Sequence, residues 1–113
     1  MDSRKREVMK EELRVVPYSY KYPSPLSKKQ SRFAWHLLTE IEGSHFDEKL
    51  AQYVIAKFAE QNLECRIIIA RRNYPDQSVS EWTEWVEVNG NYACSSATVL
   101  ENYTPVFEVF LGA

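Results

Sequence analysis

The spacing of the apolar residues changes between residues 59 and 65 of this 113-residue chain, and that change constrains the fold more than any other feature. Between Phe46 and Ala59 the apolar side chains recur every three or four residues, which is typical of a helix with one buried face. From Cys65 to Ala70 the residues are mostly β-branched and apolar, as in a strand covered on both faces. The chain is therefore predicted to pack helices on a β-sheet.

Two helices are predicted, and short polar residues mark their ends. Ser31 is the predicted N-cap of the first helix, which Gly43 ends. Ser44 is the predicted N-cap of the second helix, and Asn62 ends it in the left-handed conformation. The carboxylate of Asp47 suits the positive N-terminus of this second helix.

The second half of the chain carries the signals of an antiparallel sheet. Residues 81–88 alternate in hydropathy, and Asn89-Gly90 favours a type I′ hairpin because both residues tolerate positive φ. A return strand begins at residue 92, a helical turn follows over residues 96–103, and residues 106–111 form a last strand. We therefore predict an α+β fold in which two helices pack on a three- to four-stranded antiparallel sheet.

Charge divides the chain into a basic N-terminal arm, residues 1–32, and an acidic α+β domain, residues 33–113. The arm has nine basic and four acidic residues, a formal charge of +5, whereas the domain has five basic and twelve acidic residues, a charge of −7. These two values sum to the overall −2. A basic segment joined to an acidic body indicates a docking arm, either for another macromolecule or for the body itself.

The arm has two parts with different predicted structures. Residues 2–12 have the composition of a short charged helix, and residues 13–22 that of an extended edge strand. Tyr18, Tyr20 and Tyr22 occupy every second position, so a strand would place their rings on one face. The flanking prolines restrict this strand to the edge of a sheet, because proline cannot donate a ladder hydrogen bond.

The three tyrosines, together with Lys28 and Lys29, form the first candidate site. Aromatic rings stack on unpaired bases while cations contact phosphates, so this combination suits single-stranded nucleic acid such as RNA. The acidic body opposes broad phosphate contact, because counterion release requires a positive surface. The alternative is that the tyrosines pack on the protein's own sheet or on a second copy.

The second candidate site is a strand segment with two tryptophans and three glutamates, Glu81, Glu84 and Glu87. Strand alternation places Trp82 and Trp85 on opposite faces of the sheet, so one core cannot bury both. We expect one tryptophan to anchor an interface, where this residue type is enriched. The alternative is that the N-terminal segment covers the second face.

The residue pattern predicts no catalytic, metal or cofactor site. His36 and His45 lack a neighbouring nucleophile, and the three glycines are not spaced as in a phosphate-binding loop. Cys65 and Cys94 lie in apolar runs without the paired spacing of metal ligands, and we expect both to be reduced. Neither a secretory signal nor a membrane span is visible, which predicts a cytoplasmic protein.

The sequence thus predicts a small non-catalytic interaction protein that docks on or inhibits a larger macromolecular partner. Its acidic surface would complement a basic groove on that partner. The basic arm would contact the partner or a second copy, and we expect a dimer. The alternative hypothesis is a single-stranded nucleic-acid binder that uses the tyrosine-bearing arm.

Overall fold

The computed structural model describes residues 12–44, 46–74, 76–93 and 97–112, with only the backbone at residues 97 and 98. The elements follow in the order β1 (Glu12–Pro17), α1 (Lys28–Glu40), α2 (Glu48–Glu60), β2 (Cys65–Arg72), β3 (Trp82–Val88), β4 (Asn91–Ala93), α3 (Ala97–Asn102) and β5 (Tyr103–Gly112). The helix predicted over residues 2–12 lies outside the described residues, apart from its last residue, which begins β1.

The five described strands form one antiparallel sheet in the order β1-β5-β2-β3-β4. The predicted α+β class is confirmed, but the described part of the chain contains five strands rather than three or four, and three helices rather than two. One added strand is β1: the edge strand predicted over residues 13–22 is observed at Glu12–Pro17, where it pairs with β5. The added helix, α3, is the predicted helical turn.

The N-caps of the two long helices differ from the predicted ones. Ser27 caps α1 in place of Ser31: its hydroxyl accepts a hydrogen bond from the Gln30 amide at 3.1 Å, and the Gln30 side chain accepts one from the Ser27 amide at 3.0 Å. This reciprocal capping box satisfies two amides at once. Asp47 caps α2 in place of Ser44, and its carboxylate also suits the positive helix end.

Two cores lie on the two faces of the sheet. On the helix face, named for the two long helices that pack there, the core residues include Ala34, Leu37, Val54, Ile55, Phe58, Ile67, Val86, Val88 and Val109. On the opposite face, a smaller core contains Ile68, Ala70 and Trp85, with Tyr18, Tyr92, Val99 and Tyr103 packed against it. Burial on both faces explains the nearly continuous apolar run of β2.

Positive φ angles accommodate the turns, and a register shift accommodates a proline in β5. Asn62 (φ 58°) ends α2, and Asn89 (φ 50°) and Gly90 (φ 79°) form the β3–β4 turn, so both predicted left-handed positions are confirmed. Pro105 lies in β5 opposite Ala70 of β2, beyond the last residue of β5 that pairs with β1. The register with β2 shifts at that point, between Ile69 and Ala70, and such an irregularity tolerates a residue without an amide hydrogen.

Replacement of Gly90 by alanine is expected to lower the free energy of unfolding by about 2–3 kcal/mol, because it combines left-handed strain with a backbone clash. An added Cβ would lie 2.7 Å from the carbonyl oxygen of Tyr22 and 3.0 Å from Cα of Pro23. Gly43→Ala is the matched control, since Gly43 has φ +81° but no neighbouring atom within 4 Å of such a Cβ. Urea denaturation measures both variants, and equal losses would contradict the proposed steric contribution.

Candidate interaction surface

Residues 18–24, here called the strap, leave the end of β1 and cross the face of the sheet opposite the long helices. At the start of the strap, the Tyr18 amide donates a hydrogen bond to the carbonyl of Val106 at 2.9 Å. At its end, the Ser24 amide donates to the carbonyl of Asn89 at 2.8 Å. The strap therefore joins β5 to the β3–β4 turn and lies over the strands between them.

Beneath the strap lies a buried ion cluster centred on Arg66. The Arg66 Nε donates to Glu87, and Nη1 donates to Glu108 at 2.6 Å and to the Ser19 carbonyl at 2.7 Å. Glu108 also accepts a hydrogen bond from the Ser19 amide at 2.8 Å. The ring of Tyr18 lies over the guanidinium, 5.0 Å from ring centroid to Cζ. The cluster thus binds the strap to both β2 and β5.

The environment of this cluster shifts two pKa values. Burial by itself would lower the pKa of Arg66, but the hydrogen bonds and charges of Glu87 and Glu108 outweigh it and raise the pKa above its ordinary value. Burial raises the pKa of Tyr18, and the charge of Glu87 acts in the same direction while that of Arg66 opposes it. Arg66 is therefore charged and Tyr18 neutral under physiological conditions.

The three tyrosines of the first candidate site do not share one face. Tyr18 packs in the smaller core, whereas Tyr20 and Tyr22 are exposed and contact each other edge to face, with ring centroids 5.2 Å apart. The strand itself ends at Pro17, five residues before the predicted limit, because the chain leaves the sheet edge to cross its face. The rings therefore lie on the strap rather than on a strand.

The lysines of the first candidate site lie at the start of α1. Lys28 and Lys29 are exposed in its first turn, which contains no acidic residue. Lys21, between the exposed tyrosines, instead forms an ion pair with Glu64. One of the basic side chains of the arm is thus paired with a carboxylate of the same chain.

The two tryptophans lie on opposite faces of the sheet, as strand alternation predicts, and only one is covered. Trp85 is 4% exposed and contacts Tyr92 edge to face at 5.3 Å in the smaller core. Trp82 is 41% exposed on the helix face, where its ring stacks with Phe107 at a centroid distance of 6.4 Å. Tyr18 of the strap packs against the core that contains Trp85, so the N-terminal segment contributes to the cover of that face.

The three glutamates of this segment occupy three different environments. Glu87 is buried in the ion cluster under the strap. Glu81 is exposed and accepts hydrogen bonds from Arg71, at 3.1 Å from Nε and 2.8 Å from Nη2. The same guanidinium lies 5.8 Å from the ring centroid of Trp82. Glu84 is exposed on the helix face.

Two grooves meet on the helix face where the helices leave the sheet partly uncovered. The larger has a volume of about 880 Å³ and runs between the end of α1, the α1–α2 turn and β3. The smaller, about 370 Å³, lies between β1, β2 and the start of α2. Phe46 and Glu84 line both grooves, so the two form one continuous depression.

We call this depression, together with the adjoining Trp82 and Phe107, the acid-rimmed surface. Among the described residues that line its grooves are four with carboxylates and none with a basic side chain; the acidic ones are Glu42, Asp47, Glu48 and Glu84. Trp35 and Val15 are its most exposed apolar side chains. The sequence pattern indicated Trp82 and Glu84 as site residues but not Phe107 and Val15. Both are ordinary apolar residues of predicted strands, and nothing in their local sequence marks them as exposed.

Within the described ranges, no group of three or more His, Cys, Asp or Glu residues is placed to hold a metal ion. None of the helices described here is long and apolar enough to cross a membrane. His45 and Cys94, which the sequence brought into consideration, lie outside the described residues.

The fold and the surface define a small α+β domain with one closed and one partly open sheet face. No protein-family model matches the chain, and neither a curated protein nor a solved structure matches it significantly. A function for this protein is therefore inferred from the geometry and charge of the acid-rimmed surface.

Proposed function

We propose that this protein is a non-catalytic interaction module that docks on a larger protein through the acid-rimmed surface. The difference between the two sheet faces is the observation that carries the proposal. The strap and its ion cluster close one face, whereas the other leaves Trp82 and Phe107 exposed beside an apolar groove. Adjoining exposed aromatic side chains with a polar rim are typical of protein interfaces.

The charge of the surface favours a partner with basic side chains around an apolar anchor. Four carboxylates line the grooves, and the body as a whole has a formal charge of −7. Such a field increases the rate of encounter with a cationic surface and disfavours acidic ones. Trp82 and Phe107 would supply the desolvated centre of the interface. Occupation of a basic groove on the partner would make the protein an inhibitor of whatever binds there.

Selection of peptides from a displayed random 12-residue library tests this proposal on the full-length protein. We expect the selected peptides to combine Lys or Arg with apolar residues. Trp82→Ser should weaken their binding about 30-fold, the equivalent of losing about 2 kcal/mol from a hot-spot residue. Isothermal titration calorimetry of one selected peptide measures this change.

Tyr53→Ser is the matched control, because Tyr53 has the same 41% exposure as Trp82 but lies on the outer side of α2. This variant should bind the peptide as tightly as the wild type does. The proposal fails if the library returns no common pattern, or if Trp82→Ser binds the selected peptide unchanged.

The alternative of nucleic-acid binding is supported by one observation, the exposed edge-to-face pair of Tyr20 and Tyr22. Two exposed rings and the exposed Lys28 and Lys29 provide a small stacking and phosphate-contacting area. A fluorescent single-stranded oligonucleotide at low salt distinguishes the alternatives. Binding that requires Tyr20 and Tyr22 but not Trp82 would favour this second function.

A further inference from the structure

Trp82 of the acid-rimmed surface already contacts a guanidinium group of its own chain, that of Arg71. The two residues lie directly opposite each other in β2 and β3. The Arg71 guanidinium lies 5.8 Å from the ring centroid of Trp82, and its Nε and Nη2 donate to Oε1 of Glu81 at 3.1 and 2.8 Å. An aromatic ring and a carboxylate thus bind this group together, and both are good partners for a guanidinium.

We propose that an arginine of the partner protein takes the place of Arg71 beside Trp82 and Glu81. We call this place the guanidinium site. The inference rests on the proposed function and names the side chain by which the surface recognises its partner. Arg71 would then be an internal competitor, which the partner's arginine displaces on binding.

The residues of the guanidinium site are accessible to such an exchange. The side chains of Arg71 and Glu81 are 58% and 50% exposed. An exposed ion pair contributes little to stability, so its replacement by an intermolecular pair costs the fold little. Arg66 differs, because its guanidinium also lies over a tyrosine ring but is buried and paired with two carboxylates. Exchange at that position would uncover buried charge.

The guanidinium site adjoins the apolar part of the acid-rimmed surface. Trp82 stacks with Phe107, and in the sheet register Ile69 lies between Phe107 and Glu84. Ile69 and Glu84 also line the smaller groove. A partner segment with its arginine on Trp82 would therefore reach both the exposed ring of Phe107 and the carboxylates of the groove.

The chemistry of the guanidinium site favours arginine over lysine. Glu81 accepts hydrogen bonds from two N–H groups of one guanidinium, and a planar guanidinium also stacks on an aromatic ring. An ammonium group is a compact and strongly hydrated charge that offers neither feature. We expect replacement of the partner's arginine with lysine to weaken binding about tenfold.

N-acetyl-arginine methylamide tests the guanidinium site without a selected peptide. In full-length Arg71→Ala protein, this probe should shift the indole N–H signal of Trp82 in two-dimensional NMR spectra. N-acetyl-lysine methylamide at the same concentration and ionic strength should leave the signal in place. The Trp82 signal is assigned by its loss in Trp82→Ser, and circular dichroism shows that each variant keeps its fold.

Arg72→Ala is the matched control for Arg71→Ala. Arg72 is the next residue of β2, and its guanidinium also lies over an aromatic ring, 5.6 Å from the centroid of Tyr103 in the smaller core of the opposite face. The two variants therefore lose the same charge from the same strand. In Arg72→Ala the side chain of Arg71 still occupies the guanidinium site, so the arginine probe should shift the Trp82 signal less than in Arg71→Ala.

Calorimetry with a peptide selected from the displayed library tests the partner's side chain. Arg71→Ala should tighten binding about fivefold because it removes the internal competitor, whereas Arg72→Ala should change it less than about twofold. Glu81→Gln should reduce the preference for arginine over lysine from about tenfold to about threefold or less. Glu60→Gln is its control, since Glu60 is also exposed but pairs with Lys57 on α2.

These measurements separate the guanidinium site from the proposed function. The guanidinium site is wrong if Trp82 in Arg71→Ala responds to neither probe or equally to both. It is also wrong if the selected peptides bind equally well with lysine in place of arginine. If the library returns no common pattern but only the arginine probe shifts the Trp82 signal, the docking function fails and the guanidinium site stands.

Discussion

Arg66→Met is expected to lower the free energy of unfolding by about 3–5 kcal/mol, the usual cost of removing one partner from a buried ion cluster. Methionine replaces the length of the arginine side chain but not its charge. Glu87 and Glu108 would then remain under the strap without their cation, and Ser19 would lose one of its hydrogen bonds. The loss of stability arises because two carboxylates stay buried without a cation, and not from the net contribution of the ion pairs to folding.

Arg71→Met is the control for this substitution. Arg71 also pairs with a glutamate across the β2–β3 hairpin, but both partners of that pair are exposed. An exposed pair contributes at most about 1 kcal/mol, so urea denaturation should separate the two variants clearly. Equal losses would show that the cluster does not hold the strap.

Trp85→Ala is expected to lower the free energy of unfolding by about 3–5 kcal/mol, as for other large aromatic truncations in a core. The side chain of Trp85 lies in the smaller core, where Tyr92 and Tyr18 pack. Its removal therefore leaves a cavity against Tyr92 and weakens the packing of Tyr18. Because the side chain is 4% exposed, solvent cannot fill the space without contacting apolar atoms.

Trp82→Ala provides the matched comparison on the other face of the same strand. Its ring is 41% exposed, and its removal should cost about 1 kcal/mol or less in stability while it weakens peptide binding about 30-fold, as Trp82→Ser does. Urea denaturation followed by circular dichroism measures both variants without relying on tryptophan fluorescence. If Trp82→Ala unfolds the protein as much as Trp85→Ala does, the open face is part of the core and the proposed interface is wrong.

Several local features of the fold could be predicted from particular residues. Period-3.6 apolar spacing identified α2, the β-branched run identified β2, and Asn89-Gly90 identified the β3–β4 turn. The spacing of Ser27 and Gln30 is also that of a capping box, a local signal that favours Ser27 over the predicted Ser31 as the N-cap of α1. Each of these signals depends on residues close together in the chain.

The candidate site was only partly predictable. Alternation placed Trp82 and Trp85 on opposite faces, but it did not show which tryptophan would be covered. That depends on the strap, whose contacts join Ser19 to Arg66 and Glu108 across 47 and 89 positions of the sequence. Contacts over such separations leave no local pattern, since any segment of suitable length and composition could make them.

The sequence by itself determined the α+β class, the hairpin and the alternation of the tryptophan strand, because helix and strand periods and turn conformations are local properties of the chain. Only the tertiary structure decided that the predicted edge strand ends at Pro17 and continues as a strap, and that the helix face is the one left partly open. The physical reason is that the cover of a sheet face is chosen by long-range packing and by the pairing of buried charges, here Arg66 with Glu87 and Glu108. Part of the basic charge of the arm is therefore paired with the acidic body of the same chain, as Lys21 is with Glu64.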